Sequence, residues 1–90
     1  MLEMTADAAR LVCDVTNRAD SSVEAGLRIV VDEGHDSLSM GIVTAPAPED
    51  AVITRDGARV FLSRSAARRL HQRTLRAELS ANRSLFFLDG

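Results

Sequence analysis

Lysine, tryptophan and tyrosine are absent from this 90-residue sequence, which also has only one cysteine, two prolines and three phenylalanines. Each shortage closes off a class of protein. A single cysteine, Cys13, cannot form an internal disulfide, which agrees with a reducing compartment. So few aromatics, with an acidic isoelectric point near 5.6, argue against a nucleic-acid partner. No apolar stretch reaches the roughly 18 residues needed to span a bilayer, so no membrane role is expected. The opening "MLEMTADAAR" has neither a basic start nor an apolar signal core, and the expected location is the cytoplasm.

What is present describes a small globular protein. Apolar residues make up 46% and charged residues 27%, without low-complexity tracts or long like-charge runs, so the chain should fold. A chain of this length buries roughly 60 to 65% of its unfolded surface, enough for one modest core and a single domain over residues 1–90. All eleven basic residues are arginines and they are unevenly placed. Residues 1–54 hold three arginines against ten acids, a net of −7, whereas residues 55–90 hold eight against three, a net of +5. Such polarity suits a surface for an acidic protein partner or for self-association.

Periodicity gives the order of elements. After an extended piece at Leu2 to Met4, Thr5 is placed to cap a helix running to about Asn17, with Asp7 in its first turn. Ala8, Leu11, Val12 and Val15 share one face and should pack inward, leaving Cys13 about 150° away and facing outward. The linker "NRADSSVEAG" then delivers a hairpin. Leu27, Ile29 and Val31 alternate with polar positions in its first strand, and Leu38, Met40 and Ile42 do so in the second, around a turn at Gly34, His35 and Asp36. Leu27, Ile29 and Leu38 are expected buried beneath an exposed His35.

The prolines of "TAPAPED" lack amide donors and mark a loop. A second hairpin, "AVIT" and "ARVFL", turns at Asp56 and Gly57, a pair that favours positive φ. Ser63 caps a short helix with Ala66, Ala67 and Leu70 inward, Leu62 and Ala67 at staple spacing, and Arg64 and Arg68 facing water. "TLRAEL" and "SLFFLD" form a last hairpin, with Leu75, Ala77 and Leu79 on one face. The result is an α+β domain of about seven strands and two helices.

In this order and spacing the sequence resembles the A-type iron-sulfur carriers, the HesB-like or IscA-like family. "GLRIVV" is similar to the family's Gly-Leu-Arg strand, "LSMGI" to its Leu-Ser-Tyr-Gly-Leu run, and "DGARVFLSRSAARRL" to its Asp-Gly turn, apolar strand and short helix. "SLFFLDG" resembles the start of its Phe-rich last strand. The resemblance implies a mixed sheet folded on itself as a pseudobarrel. It also implies an iron-sulfur cluster held by three cysteines, and these are missing here. Allowing one deletion, His35 stands where the family's first cysteine lies in a Gly-Gly-Cys-Ser-Gly turn, and the 90 residues contain no Cys-Gly-Cys.

Clusters are held chiefly by thiolates, usually four, which Cys13 cannot supply. No cofactor is therefore expected. Cys13, His35 and His71 share no zinc-ligand spacing. His35, with Asp36 as an oxygen ligand, is the one candidate metal position, set against a plain role on an exposed turn. His71, beside Arg68, Arg69 and Arg73, reads as a cation near a helix C-terminus. Ser63 and Ser65 have no base nearby and the glycines form no phosphate loop, so no enzyme is expected. Two functions remain open. One is a divergent iron-sulfur assembly protein that binds no cluster by itself and acts as an accessory or binding protein. The other is an interaction module on the same scaffold with no role in iron-sulfur metabolism. In either case Arg64 and Arg68 are the candidate partner-binding residues.

Overall fold

The computed structural model describes residues 1–20, 22–32 and 34–90; Ser21, in the expected linker, and Glu33, beside the expected first turn, lie outside the described residues. The elements are β1 (Glu3–Met4), α1 (Ala6–Ala19), β2 (Gly26–Asp32), β3 (Ser37–Val43), β4 (Ala51–Arg55), β5 (Ala58–Leu62), α2 (Arg64–Arg69), β6 (Thr74–Leu79) and β7 (Ser84–Asp89). The strands form two mixed sheets, β1-β6-β7 and β3-β2-β5-β4. In each, the parallel pair joins strands that are not neighbours in sequence: β1 with β6, and β2 with β5 across β3 and β4.

One core joins both sheets to α1. Leu27, Ile29, Val60, Leu62 and Ile53 come from the larger sheet, Leu75 and Ala77 from the smaller, Met4 from β1 and Leu2 from just before it. Register explains the set, because Leu27 and Ile29 lie opposite Val60 and Leu62, and Val60 lies opposite Ile53, so all share one face. The expected turn at Asp56 and Gly57 is present with φ values of 50° and 84°, the left-handed pair that closes a two-residue hairpin.

Caps set both helices. The Ala8 amide donates to Thr5 Oγ1 at 3.1 Å at the start of α1, and the Ala66 amide donates to Ser63 Oγ at 3.2 Å at the start of α2. α1 continues two residues past Asn17, to Ala19, and stops where Asp20 turns extended and its carboxylate accepts the Ser22 amide at 2.7 Å. Hydrogen bonding from Ser22, by its side chain and then its amide, holds the Asp20 carboxyl below its ordinary range.

Three expectations about facing need correction. The buried residues of α1 are Ala8, Ala9, Leu11, Val12 and Thr16, whereas Val15 is half-buried. Relative to the expected stripe, the inward direction is rotated by about 50° toward Ala9 and Thr16. Cys13 then lies about 100° from its centre, on the helix flank, and is half-buried rather than outward. Leu38 is half-buried and Met40 exposed, because β3 is an edge strand to one side of α1. Leu79 is exposed, since the end of the β6–β7 hairpin runs past the helix and leaves a depression between Leu11, Val15 and residues 80–84.

A small second apolar site lies on the other face of the larger sheet. Phe61 points away from the main core, in register with Arg28, yet is fully buried. Gly26 makes this possible: a Cβ there would lie 2.6 Å from the Arg59 carbonyl oxygen and 2.8 Å from the Phe61 ring.

Candidate functional site: the His35 turn and the arginine face of α2

The β2–β3 connection is organised by Asp32. Its carbonyl accepts the His35 amide at 3.1 Å, and its carboxylate accepts the Gly34 amide at 3.2 Å, so the side chain copies a backbone turn. The other carboxylate oxygen lies 3.1 Å from His35 Nδ1. The His35 side chain is 80% exposed, as expected of the turn. Asp36 adopts a left-handed φ of 51°, a conformation that aspartate tolerates better than most side chains.

That backbone turns Asp36 away from His35. Its carboxylate pairs with Arg69 of α2, so the acid beside the imidazole is Asp32 and not Asp36 as expected. Arg69, Arg68, Ser65 and Val31 line a shallow depression with Asp36. Arg68 is exposed there, and Arg64, one turn earlier, is 3.5 Å from Glu49 with both side chains largely in water. Pairs of that kind contribute little to stability and open readily to a competing charge.

The donors available for a metal are dispersed. His35 sits with Asp32, Cys13 Sγ is 3.9 Å from the Asp56 carbonyl oxygen, and His71 Nδ1 is 2.8 Å from the Met1 amino group. His71, just past the end of α2, thus faces the chain's amino group. No group of three or more His, Cys, Asp or Glu among the described residues is placed to hold a metal ion. The residues present therefore do not fit a thiolate-held cluster, and no chemistry is derived through one.

Next to this surface is an ion pair that periodicity alone did not reveal. Arg28 leaves the outer face of β2 and donates to both oxygens of Asp50, at 2.7 and 2.9 Å. The Asp50 side chain is 2% exposed and also accepts the Ala47 amide at 3.0 Å. Hydrogen bonding from Arg28 holds the Asp50 carboxyl below its ordinary range, against the opposing effect of burial, and the same bond raises the Arg28 guanidinium. The signal was the lone arginine in an otherwise apolar strand, Gly26 to Val31, followed by a loop ending in Glu49 and Asp50. This pair fastens the 44–50 loop beside Arg64, which shares a depression with Arg28, Pro48 and Glu49.

No protein-family model matches the sequence, and no curated protein matches it. Solved structures do. Escherichia coli SufA, described as involved in biosynthesis of iron-sulfur clusters, superposes with a TM-score of 0.79 at 20% identity, over 97% of this chain and 82% of that chain. IscA solved with a [2Fe-2S] cluster superposes with a TM-score of 0.75 at 18% identity, over 98% of this chain and 83% of that one. Two helices and seven strands in this arrangement are thus the fold of SufA and IscA, the fold that the resemblance to A-type carriers implied.

Proposed function

We propose that this protein is a divergent member of the A-type carrier group that acts in iron-sulfur assembly as an accessory binding protein, without holding a cluster by itself and without catalysing a reaction. The observation that carries this reading is the His35 turn. On the fold of SufA and IscA, the turn where the resemblance implies a cysteine is occupied by an imidazole beside Asp32 and by Asp36 paired with Arg69. Neither pair offers a thiolate, and Cys13 lies elsewhere, on α1 beside the Asp56 carbonyl. What is left on this side is charge suited to a partner. Arg68 is exposed and Arg64 is held only by a water-exposed pair to Glu49, so both can exchange to an acidic protein surface at small cost.

The test has two arms. Anaerobic reconstitution with iron and sulfide, followed by desalting, should leave no stoichiometric visible absorbance; bands that survive and vanish in His35→Ala would overturn the cluster-free reading. Titration of the purified chain with cluster-loaded SufA should give saturable binding that weakens with salt and in Arg64→Glu/Arg68→Glu. Absence of binding, or binding unaffected by both changes, would sink the partner role of these arginines.

A further inference from the structure

The smaller sheet ends in an open strand: its order is β1-β6-β7, so β7 has a neighbour on one side only. Which of its backbone groups are free follows from the opposite edge of the sheet. The carbonyls of Arg73 and Leu75 accept the amides of Glu3 and Thr5 at 2.9 and 3.0 Å, so Leu75 and every second residue from it face β1. Thr74, Arg76 and Glu78 therefore face β7 and bond to Asp89, Phe87 and Leu85, their partners in register. That leaves the N–H and C=O groups of Ser84, Phe86 and Leu88 pointing out from the free edge.

Nothing along this edge resists a further strand. The sequence SLFFLD contains no proline, no lysine and no residue with positive φ, and its register with β6 is unbroken, so the usual devices that blunt an edge are missing. On the outer face Leu85 is 43% and Phe87 46% exposed, while Phe86 and Leu88 are half-buried on the inner face.

The strand is also complementary to itself. With two copies antiparallel about a two-fold axis through Phe86, Ser84 lies opposite the second copy's Leu88, and each outward N–H meets an outward C=O. The same register sets Leu85 against the second copy's Phe87, at the non-hydrogen-bonded positions where side chains approach most closely. Arg83, just before the strand, then meets the second copy's Asp89. Among the described residues Arg83 forms no ion pair, and Asp89 has one with Arg76, at 2.9 Å and half in water. A slide of two residues either way sets Asp89 against Leu85 or Arg83 against Phe87, so one register suits backbone, apolar and charged groups together. Phe86 also borders the depression beside Leu11 and Val15, and the axis brings the two depressions together, covering apolar surface that one copy leaves in water. We propose that the chain forms a symmetric dimer by antiparallel pairing of β7 with β7 of a second copy, which joins two three-stranded sheets into one. The pairing uses the β6–β7 hairpin and is independent of the function proposed for the His35 side.

Sedimentation equilibrium of the intact chain from about 10 μM to about 1 mM should show a monomer and a dimer in exchange. Amide hydrogen exchange across that range reads the interface directly: the Phe86 and Leu88 amides should slow as concentration rises, and those of Leu85 and Phe87, already bonded to β6, should change less. Arg83→Glu and Asp89→Arg alter exposed side chains, and each should weaken the dimer by about tenfold. Combining them should restore it, because opposite charges again face each other. Leu85→Lys, also on the exposed face, should leave the fold intact by circular dichroism and the chain monomeric. A monomer at every concentration, which would leave the edge to a strand of another protein, would overturn the proposal. So would a dimer whose Phe86 and Leu88 amides exchange freely, a dimer indifferent to Leu85→Lys, or a charge exchange that restores nothing.

Discussion

Arg28 Nε and Nη2 hold Asp50 at 2.7 and 2.9 Å, tying the outer face of β2 to the end of a loop that contains both prolines of the chain. Asp50 also accepts the Ala47 amide, so its loss would leave a half-buried guanidinium and one backbone N–H without partners. Asp50→Asn should destabilise the fold by about 2 to 4 kcal/mol, measured by urea unfolding at pH 7. Arg28→Lys should recover little, because an ammonium cannot reproduce the two-pronged geometry. The pH dependence follows from the direction of the shift. The Asp50 carboxyl is lowered in the folded state, so its contribution is complete above the unfolded value, about pH 4, and is lost as pH falls through the lower folded value. The stability gap between wild type and Asp50→Asn should therefore be flat from pH 8 to about pH 5 and narrow below about pH 4. A gap that persists unchanged at pH 2 would show that the carboxylate charge is not its source.

Gly26 and Phe61 form the second close relationship on that face. A Cβ at Gly26 would meet a backbone oxygen at 2.6 Å and the ring at 2.8 Å, and the oxygen cannot move without disturbing the β2–β5 ladder. Gly26→Ala should cost about 1 to 3 kcal/mol through overpacking, although alanine suits a strand better than glycine does. A neutral result would mean that the two strands separate locally at low cost.

These two pairs show what could and could not be read from the residues. Strand and helix order was legible because it rests on local alternation and capping: Thr5, Ser63 and the Asp56-Gly57 turn each act on their immediate neighbours. The resemblance carried in Gly26, Leu27 and Arg28 pointed to the right fold, but all three prove to have packing roles here: Gly26 admits Phe61, Leu27 enters the core and Arg28 fastens a loop. Long-range facts were not legible. The inward direction of α1 depends on two sheets meeting it at once, which moved Ala9 and Thr16 inside and drew Cys13 half under cover. Likewise the left-handed backbone of Asp36 sends its carboxylate to Arg69, 33 residues away, which no spacing rule around His35 contains.

The His35 turn should be energetically quiet. Its imidazole and Asp32 form a pair that is mostly in water, so His35→Ala should alter stability by less than about 0.5 kcal/mol in a denaturant titration. Zinc at a few equivalents should leave the thermal midpoint unchanged, because Asp32 and His35 provide two ligands where a zinc site needs three or four. A midpoint that rises with zinc in the wild type but not in His35→Ala would show that the turn recruits a further ligand.

Thr16 provides a test of burial that is independent of any ligand. Thr16 is buried on α1, and its hydroxyl has no hydrogen-bond partner. Valine has nearly the same outline and a similar helix propensity, so Thr16→Val changes the polar atom and little else. An unsatisfied buried hydroxyl costs about 1 to 3 kcal/mol, part of which local relaxation toward a partner can offset. The substitution should therefore raise stability by about 0.5 to 1.5 kcal/mol, read as a higher urea midpoint with an unchanged slope. Lower stability in Thr16→Val would mean that the hydroxyl is bonded in solution.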